Sequence, residues 1–218
     1  MPMDSFLSAI TPFTRLSPAE RVRLMQAAKE RAYAKGETIF RSGQPAEAVW
    51  VVKTGRVHLM KFLPDGKAST TCVMTPGEPF CCLPTLDRQP YPVDAIAAIN
   101  SVVVRIPLEA FHRAMNRSPA FTDEALCMFC SRLRQVEEKS CMVYASAEMR
   151  LAQVLLGLSK KFGATIPLTR QELAEIAGTT NETAIRTLSR FAKQGLIRSI
   201  RGKTTIVKSD TLHALLGS

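Results

Sequence analysis

The chain has 218 residues, 46% of them hydrophobic and 22% charged, with 29 basic against 19 acidic side chains and a formal charge of +10. That length suits one large domain or two small ones, the balance excludes a disordered tail protein, and the charge raises nucleic acid or an acidic membrane surface as partners. No apolar run approaches the roughly 20 residues of a membrane span, and no basic region followed by an apolar stretch marks a secretory signal, so a cytoplasmic protein is expected.

Ser17-Pro18-Ala19-Glu20 spells a capping box with proline at the first helical position, and it opens a short helix carrying Val22, Leu24, Met25 and Ala28. Up to about residue 107 the pattern changes to short β-rich runs at 37–41, 48–53, 56–62, 69–75, 93–98 and 101–106, each bounded by Gly, Pro, Asp or Asn. Gly55, Gly66 and Gly77 recur at even intervals, and Asp65-Gly66 is a hairpin turn signal. Evenly spaced strands of this kind predict a small antiparallel barrel or roll whose interior has room for a small ligand.

After Pro107 the reading is helical. A short element over 108–116 is followed by a break at Pro119, then by a longer helix from about 120 to 147. Leu126, Phe129, Leu133, Val136, Ser140, Val143 and Ala147 alternate along it at three and four residues. Such a seam fits either a helix packed on its own roll or a parallel dimer. Residues 150–161 form a further amphipathic helix with Leu151, Val154, Leu155 and Leu158 on its apolar face, closed by Gly163.

The last third concentrates the positive charge: residues 148–218 hold eleven basic and five acidic side chains, against eighteen and fourteen in the longer part before them. Within it, residues 168–178 read as a short capped helix ended by glycine. Thr179-Thr180-Asn181-Glu182 starts a second helix that runs through Arg186 and Leu188 to Lys193 and stops at Gly195. Two short helices joined through one glycine, with Ala174 small and Ile176, Ala184 and Leu188 apolar, spell a helix-turn-helix. Residues 196–199 and 204–208, around Arg201-Gly202-Lys203, read as a β-hairpin wing with a basic tip.

Glu182 and Arg186 are four residues apart and share one face near the front of the second helix. A carboxylate there accepts from cytosine N4, and a guanidinium grips guanine O6 and N7. Thr169, Arg170, Thr179, Thr180 and Lys203 are placed to contact phosphates, which position the helix without reading sequence. Thr179 to Glu182 also reads as a capping box, and Glu182 with Arg186 as a local ion pair.

The order of roll, long helix and winged helix-turn-helix resembles the cyclic AMP receptor protein and fumarate-nitrate reductase regulator (CRP/FNR) family of bacterial transcription factors over essentially the whole chain. Glu182-Thr183-Ala184-Ile185-Arg186 resembles that family's Glu-Thr followed two residues later by Arg. The resemblance implies an α+β chain in three parts. These are a cupin-like, cyclic-nucleotide-binding-domain-like antiparallel β-roll over 1–118 that senses an effector, a dimerisation helix over 119–147, and a winged helix-turn-helix over 148–218. It implies a homodimer without catalytic activity that binds double-stranded DNA, contacts RNA polymerase, and reads an inverted repeat through Glu182 and Arg186 at the G-A step of TGA-type half-sites. Asn181 and Ile185 occupy neighbouring positions that vary between subfamilies.

In cyclic-nucleotide-binding members of that family a Gly-Glu-Leu element caps the ribose and phosphate, and an Arg-Ser pair about ten residues later neutralises the phosphate. The matching stretch here is Gly77-Glu78-Pro79-Phe80-Cys81-Cys82-Leu83, followed by Tyr91-Pro92-Val93-Asp94. Ungapped comparison puts Cys82 at the ribose-binding glutamate and Pro92 at the arginine. A buried phosphate without its guanidinium is left unpaired at a cost of several kcal/mol, so tight cyclic AMP binding is not expected.

The sequence holds six cysteines, and a cytosolic setting argues against a disulfide framework. Cys72 lies on a roll strand, Cys81 and Cys82 in the former phosphate loop, and Cys127 and Cys130 one turn apart on the long helix, while Cys141 is too far along that helix to join them. Because the long helix backs the pocket in this fold, Cys72, Phe80, Cys81, Cys82, Leu83, Val93, Cys127 and Cys130 are expected to line the effector pocket. Three readings stay open for the thiols: small buried hydrophobes, redox or soft-metal chemistry at the vicinal Cys81-Cys82 pair, and a haem or iron–sulfur cofactor. The family's oxygen sensors use an N-terminal cysteine cluster, and none precedes Cys72. Phe80-Cys81 resembles the Phe-Cys of its haem-based carbon monoxide sensor, yet that sensor's histidine ligand falls on Leu83. His58, His112 and His213 are scattered and read as surface or lightly buried, and Trp50 reads as core.

A rival from another class is a cysteine-dependent or metal-assisted enzyme of the roll fold with a basic accessory domain. No His-rich metal set, no Ser/His/Asp order and no phosphate-cradling glycine loop accompanies the thiols.

Overall fold

The computed structural model describes residues 3–62 and 68–217. The chain divides into two compact units: residues 1–61 with 71–135, and residues 62–70 with 136–218. The helices α1 (Met3–Leu7) and α2 (Pro18–Ala27) lead into eight strands: β1 (Lys29–Tyr33), β2 (Thr38–Phe40), β3 (Ala48–Thr54), β4 (Val57–Phe62), β5 (Ala68–Met74), β6 (Pro79–Phe80), β7 (Asp94–Ala97) and β8 (Ser101–Pro107). A short helix, α3 (Leu83–Asp87), interrupts them between β6 and β7, and α4 (Leu108–Arg117) and α5 (Pro119–Cys141) follow. The Asp65-Gly66 turn expected between β4 and β5 lies outside the described residues.

The strands form two four-stranded sheets, ordered β1-β8-β3-β6 and β2-β7-β4-β5. Strand alternation explains how one sheet serves two cores. Ala48, Trp50 and Val52 of β3 join Phe40, Leu59, Phe80 and Ala95 inside the roll, while Val49 and Val51 turn outward to meet Val104 and Ile106 of β8 and the helical residues Leu24, Phe111, Phe121 and Phe129. All five residues from Ala48 to Val52 are buried. Gly55 at the β3–β4 turn has φ +89°, and a Cβ there would lie 2.6 Å from the Asn100 carbonyl oxygen, so the turn accepts only glycine.

The expected strands are all present, each within two residues of its expected limits. β1 was not foreseen, because its first four residues, Lys29 to Ala32, are exposed and carry no apolar alternation; it is held at the sheet edge by antiparallel pairing with β8. The long helix is also shorter than its heptad pattern suggests. It ends at Cys141, a 3-10 turn follows at Met142–Tyr144, and α6 (Ala147–Phe162) begins anew with Ser146 as N-cap accepting from the Met149 N–H at 3.2 Å. The cap outcompetes continuation of the seam. Along α5, Phe129 is buried, whereas Leu126, Leu133, Val136 and Ser140 are exposed; the side chain of Val143 lies outside the described residues.

The second unit continues with β9 (Thr165–Ile166), α7 (Arg170–Ala177), α8 (Asn181–Lys193), β10 (Ile197–Ile200), β11 (Lys203–Ile206) and α9 (Ser209–Ala214). β10, β11 and β9 make a three-stranded antiparallel sheet in that order. Leu151 and Leu155 of α6, Leu173 of α7, Leu188 and Phe191 of α8 and Leu212 of α9 are fully buried in this unit.

Candidate nucleic-acid interface

The helix-turn-helix forms where local chemistry dictates. Thr169 accepts from the Glu172 N–H at 3.2 Å while the Glu172 carboxylate accepts from the Thr169 N–H at 2.7 Å, a reciprocal box that starts α7. Gly178 ends it in the left-handed region (φ 60°, ψ 45°), and the Thr179 N–H returns to the Ala174 carbonyl at 3.0 Å. Thr180, not Thr179, then caps α8, its hydroxyl accepting from the Thr183 N–H at 3.2 Å. The capping box read from Thr179 to Glu182 is therefore corrected, and Glu182 takes no part in the cap.

The two faces of α8 separate cleanly at helical spacing. Ala184, Thr187, Leu188 and Phe191 are buried, and Asn181, Glu182, Ile185 and Arg186 are exposed. The expected Glu182–Arg186 ion pair is absent: neither side chain has a hydrogen-bond or ion-pair partner among the described residues. Both are left to meet an external group. Arg170 on α7 and Lys203 on β11 are exposed as well, as are Thr169 and Thr180, while Thr179 is half-buried. Arg198 and Arg201 add exposed positive charge to the wing. The N-terminal ends of α7 and α8 are the positive ends of their helix dipoles, to which phosphate oxygens are attracted.

The expected effector pocket fares differently. Cys72, Cys81 and Val93 pack, partly buried, against the roll interior with fully buried Phe80, but Cys82 belongs to the other core beside Phe121 and Phe129. Cys81 has φ 53°, a left-handed conformation rare for a residue with a Cβ, and the adjacent thiols enter different cores. Cys127 and Cys130 are exposed on α5 and Leu83 is 51% exposed on α3, so helix and loop thiols do not gather. Two cavities of about 280 and 270 Å³ open on this unit, and no expected pocket residue lines either one.

Burial also sets the thiol chemistry. It pushes Cys82 up to about 12 against the pull of the Arg132 guanidinium, and raises Cys81 with help from Cys82 and Cys72, again opposed by Arg132. A thiol held neutral is a weak nucleophile and a weak metal ligand. Among the described residues no three His, Cys, Asp or Glu side chains gather to hold a metal ion. Arg132, which no reading of the sequence singled out, donates from α5 to the Pro79 carbonyl and sits beside both thiols. His58 is buried rather than near the surface, and no described helix is long and apolar enough to cross a membrane.

Comparison with known proteins agrees with this geometry. Residues 30–118 match the cyclic nucleotide-binding domain family, and residues 149–215 match the Crp-like helix-turn-helix domain family. The cyclic AMP receptor protein of Thermus thermophilus is 28% identical over 205 residues, covering 93% of this chain and 95% of that protein. A CRP-like cAMP-activated global transcriptional regulator of Mycobacterium tuberculosis is 25% identical over 217 residues, covering 95% and 96%. The solved structure of FixK2 from Bradyrhizobium japonicum is similar with a TM-score of 0.78 at 27% identity, covering 86% of this chain and 96% of that one.

Proposed function

Since the chain belongs to the CRP/FNR family of transcription regulators, we propose that it acts as a homodimer reading an inverted repeat of TGA-type half-sites through Glu182 and Arg186, under a signal other than cyclic AMP. Residues 1–118 form the sensing roll, 119–147 the dimerisation helix and 148–218 the DNA-binding part. The protein works in the cytoplasm by binding, not catalysis, and contacts RNA polymerase.

The observation that carries this reading is the pair Glu182 and Arg186, exposed one turn apart on α8, opposite its buried stripe and without partners in the described chain. Thr169, Arg170, Thr179, Thr180, Asn181 and Lys203 position the helix against the duplex. The dimer is supported by Leu126, Leu133 and Val136, 49 to 60% exposed along one side of α5. Independence from cyclic AMP is supported by Cys82, which stands at the ribose-binding carboxylate position and is buried in an apolar cluster, and by Pro92 at the guanidinium position. Partly buried Cys81 and buried Cys82 serve as small hydrophobes.

The test is fluorescence anisotropy with a duplex carrying the inverted repeat and duplexes altered at single bases. Wild type should prefer the repeat and lose affinity steeply with salt. Arg186→Ala should lose about 1–3 kcal/mol of discrimination at the guanine while keeping its salt slope. Binding indifferent to the half-site sequence overturns the proposal.

A further inference from the structure

One arginine on α6 bonds three backbone carbonyls from two separate places in the chain. Arg150 donates from Nε to Ala177 at 2.8 Å, from Nη2 to Gly178 at 3.2 Å and from Nη1 to Ala145 at 2.7 Å. Ala177 is the last residue of α7 and Gly178 its C-cap. The cation therefore sits at the negative end of the α7 dipole, on carbonyls the helix leaves without partners. Ala145 lies between the 3-10 turn that follows α5 and the N-cap of α6, and its own N–H bonds the Met142 carbonyl at 3.0 Å. Two residues before Arg150, Glu148 pairs with Arg190 of α8 at 2.5 Å. The first turn of α6 is thus fastened to both helices of the helix-turn-helix and to the segment at the end of α5.

The fork has directional consequences. Gly178 is followed by Thr179 and by Thr180, the cap of α8, so the carbonyls that Arg150 holds immediately precede the start of the reading helix. A planar guanidinium bonds along two edges at once and fixes the angle between the groups it holds, whereas a lysine ammonium is a point charge that holds distance only.

Resting on the reading that two copies occupy a two-part DNA site, we propose that Arg150 is the positioning residue that fixes the bearing of α8 relative to the segment following α5, so that the two heads of a dimer are aimed together. A single head on a single half-site does not need that bearing; two heads docking at once do.

The experiment compares wild type, Arg150→Lys and Arg150→Gln, each as the whole chain, on two duplexes of equal length, one with two half-sites and one with a single half-site. Thermal melts confirm folding. Both variants should bind the two-site duplex about tenfold or more weakly while changing less than about threefold on the single site, because effective concentration is lost when geometry is loosened. A merely structural role lowers the folded fraction for both duplexes alike, so equal losses overturn the inference. So does rescue of two-site binding by lysine, and so does failure of both variants to fold, which assigns Arg150 to folding. A wild-type protein with no preference for the two-site duplex overturns the paired-site reading itself, and the inference with it, and is distinguished because it needs no variant.

Discussion

The rings of Phe40 and Tyr91 stack in the roll with centroids 3.9 Å apart, and the Tyr91 hydroxyl beyond them accepts from Trp50 Nε1 at 3.1 Å and from the Ala48 N–H at 3.2 Å while donating to the Ala48 carbonyl at 3.0 Å. One phenol thus satisfies three polar groups of β3 and helps fill the apolar interior with its ring. Tyr91→Phe keeps the stack and orphans the indole N–H. It should lower unfolding free energy by about 1–3 kcal/mol, read as a shift of the urea midpoint with unchanged slope. A midpoint within error of wild type would falsify the assignment.

Capping and reading are separable on α8. Thr180→Ala removes the cap and should cost about 1 kcal/mol of stability, weakening every duplex alike. Glu182→Gln removes no cap and should leave the melting temperature nearly unchanged while altering preference at the base it faces. Base-substitution scans of the duplex with both variants check this, and identical base profiles for Glu182→Gln and wild type would sink the assignment.

The buried thiols make stability fall in alkali. Their pKa values are raised in the folded state, Cys82 to about 12, whereas an unfolded thiol titrates near about 8.5. Above that pH the unfolded chain releases protons the folded chain keeps. The contribution is therefore complete below about 8.5 and shrinks as pH climbs toward 12, by at most about 1.4 kcal/mol per pH unit per thiol. Urea midpoints at pH 7.5 and 10 should drop further for wild type than for Cys82→Ala. At pH 7.5 a thiol reagent should label exposed Cys127 and Cys130 quickly and Cys82 only after unfolding; equal rates contradict the burial argument.

The Glu148–Arg190 pair is half-exposed, with side-chain exposures of 30% and 51%. Solvent screening limits it, so a double-mutant cycle with alanine at both positions should give a coupling energy of about 1 kcal/mol or less. A coupling above about 2 kcal/mol would mean that the pair, rather than the packing around it, holds α6 to α8.

Legibility in the sequence followed the range of the interaction. The capping box at Ser17 and the capped helix over 168–178 ended by Gly178 are set by residues within one turn, and they stand where the sequence places them, although the Thr169–Glu172 box itself was read one helix too late, at Thr179. The β-rich run of β3 was equally readable, though not the way it serves two cores. β1 was not, because edge strands such as Lys29 to Tyr33 are fixed by pairing with β8 rather than by their own pattern. The placement of the thiols was hidden for a related reason: Cys81 and Cys82 are neighbours in sequence, but with a left-handed backbone at Cys81 one packs against the roll interior and the other belongs to the helical core. Arg150 was invisible because its partners at Ala177 and Gly178 lie 27 and 28 residues away and are main-chain atoms without sequence identity.

The pairing of Thr165 and Ile166 with Thr205 and Thr204 gives the second unit a property of its own. The peptide leading into α7 and the peptide leaving the wing run side by side, with the two threonine hydroxyls 3.1 Å apart, so the intervening stretch begins and finishes at one spot. Chain with adjoining ends interrupts its surroundings least, because its closure entropy is already met within itself. Residues 164–207 therefore leave and rejoin the rest of the unit at one place, while their core is completed from outside by Leu151 and Leu155 of α6 and Leu212 of α9.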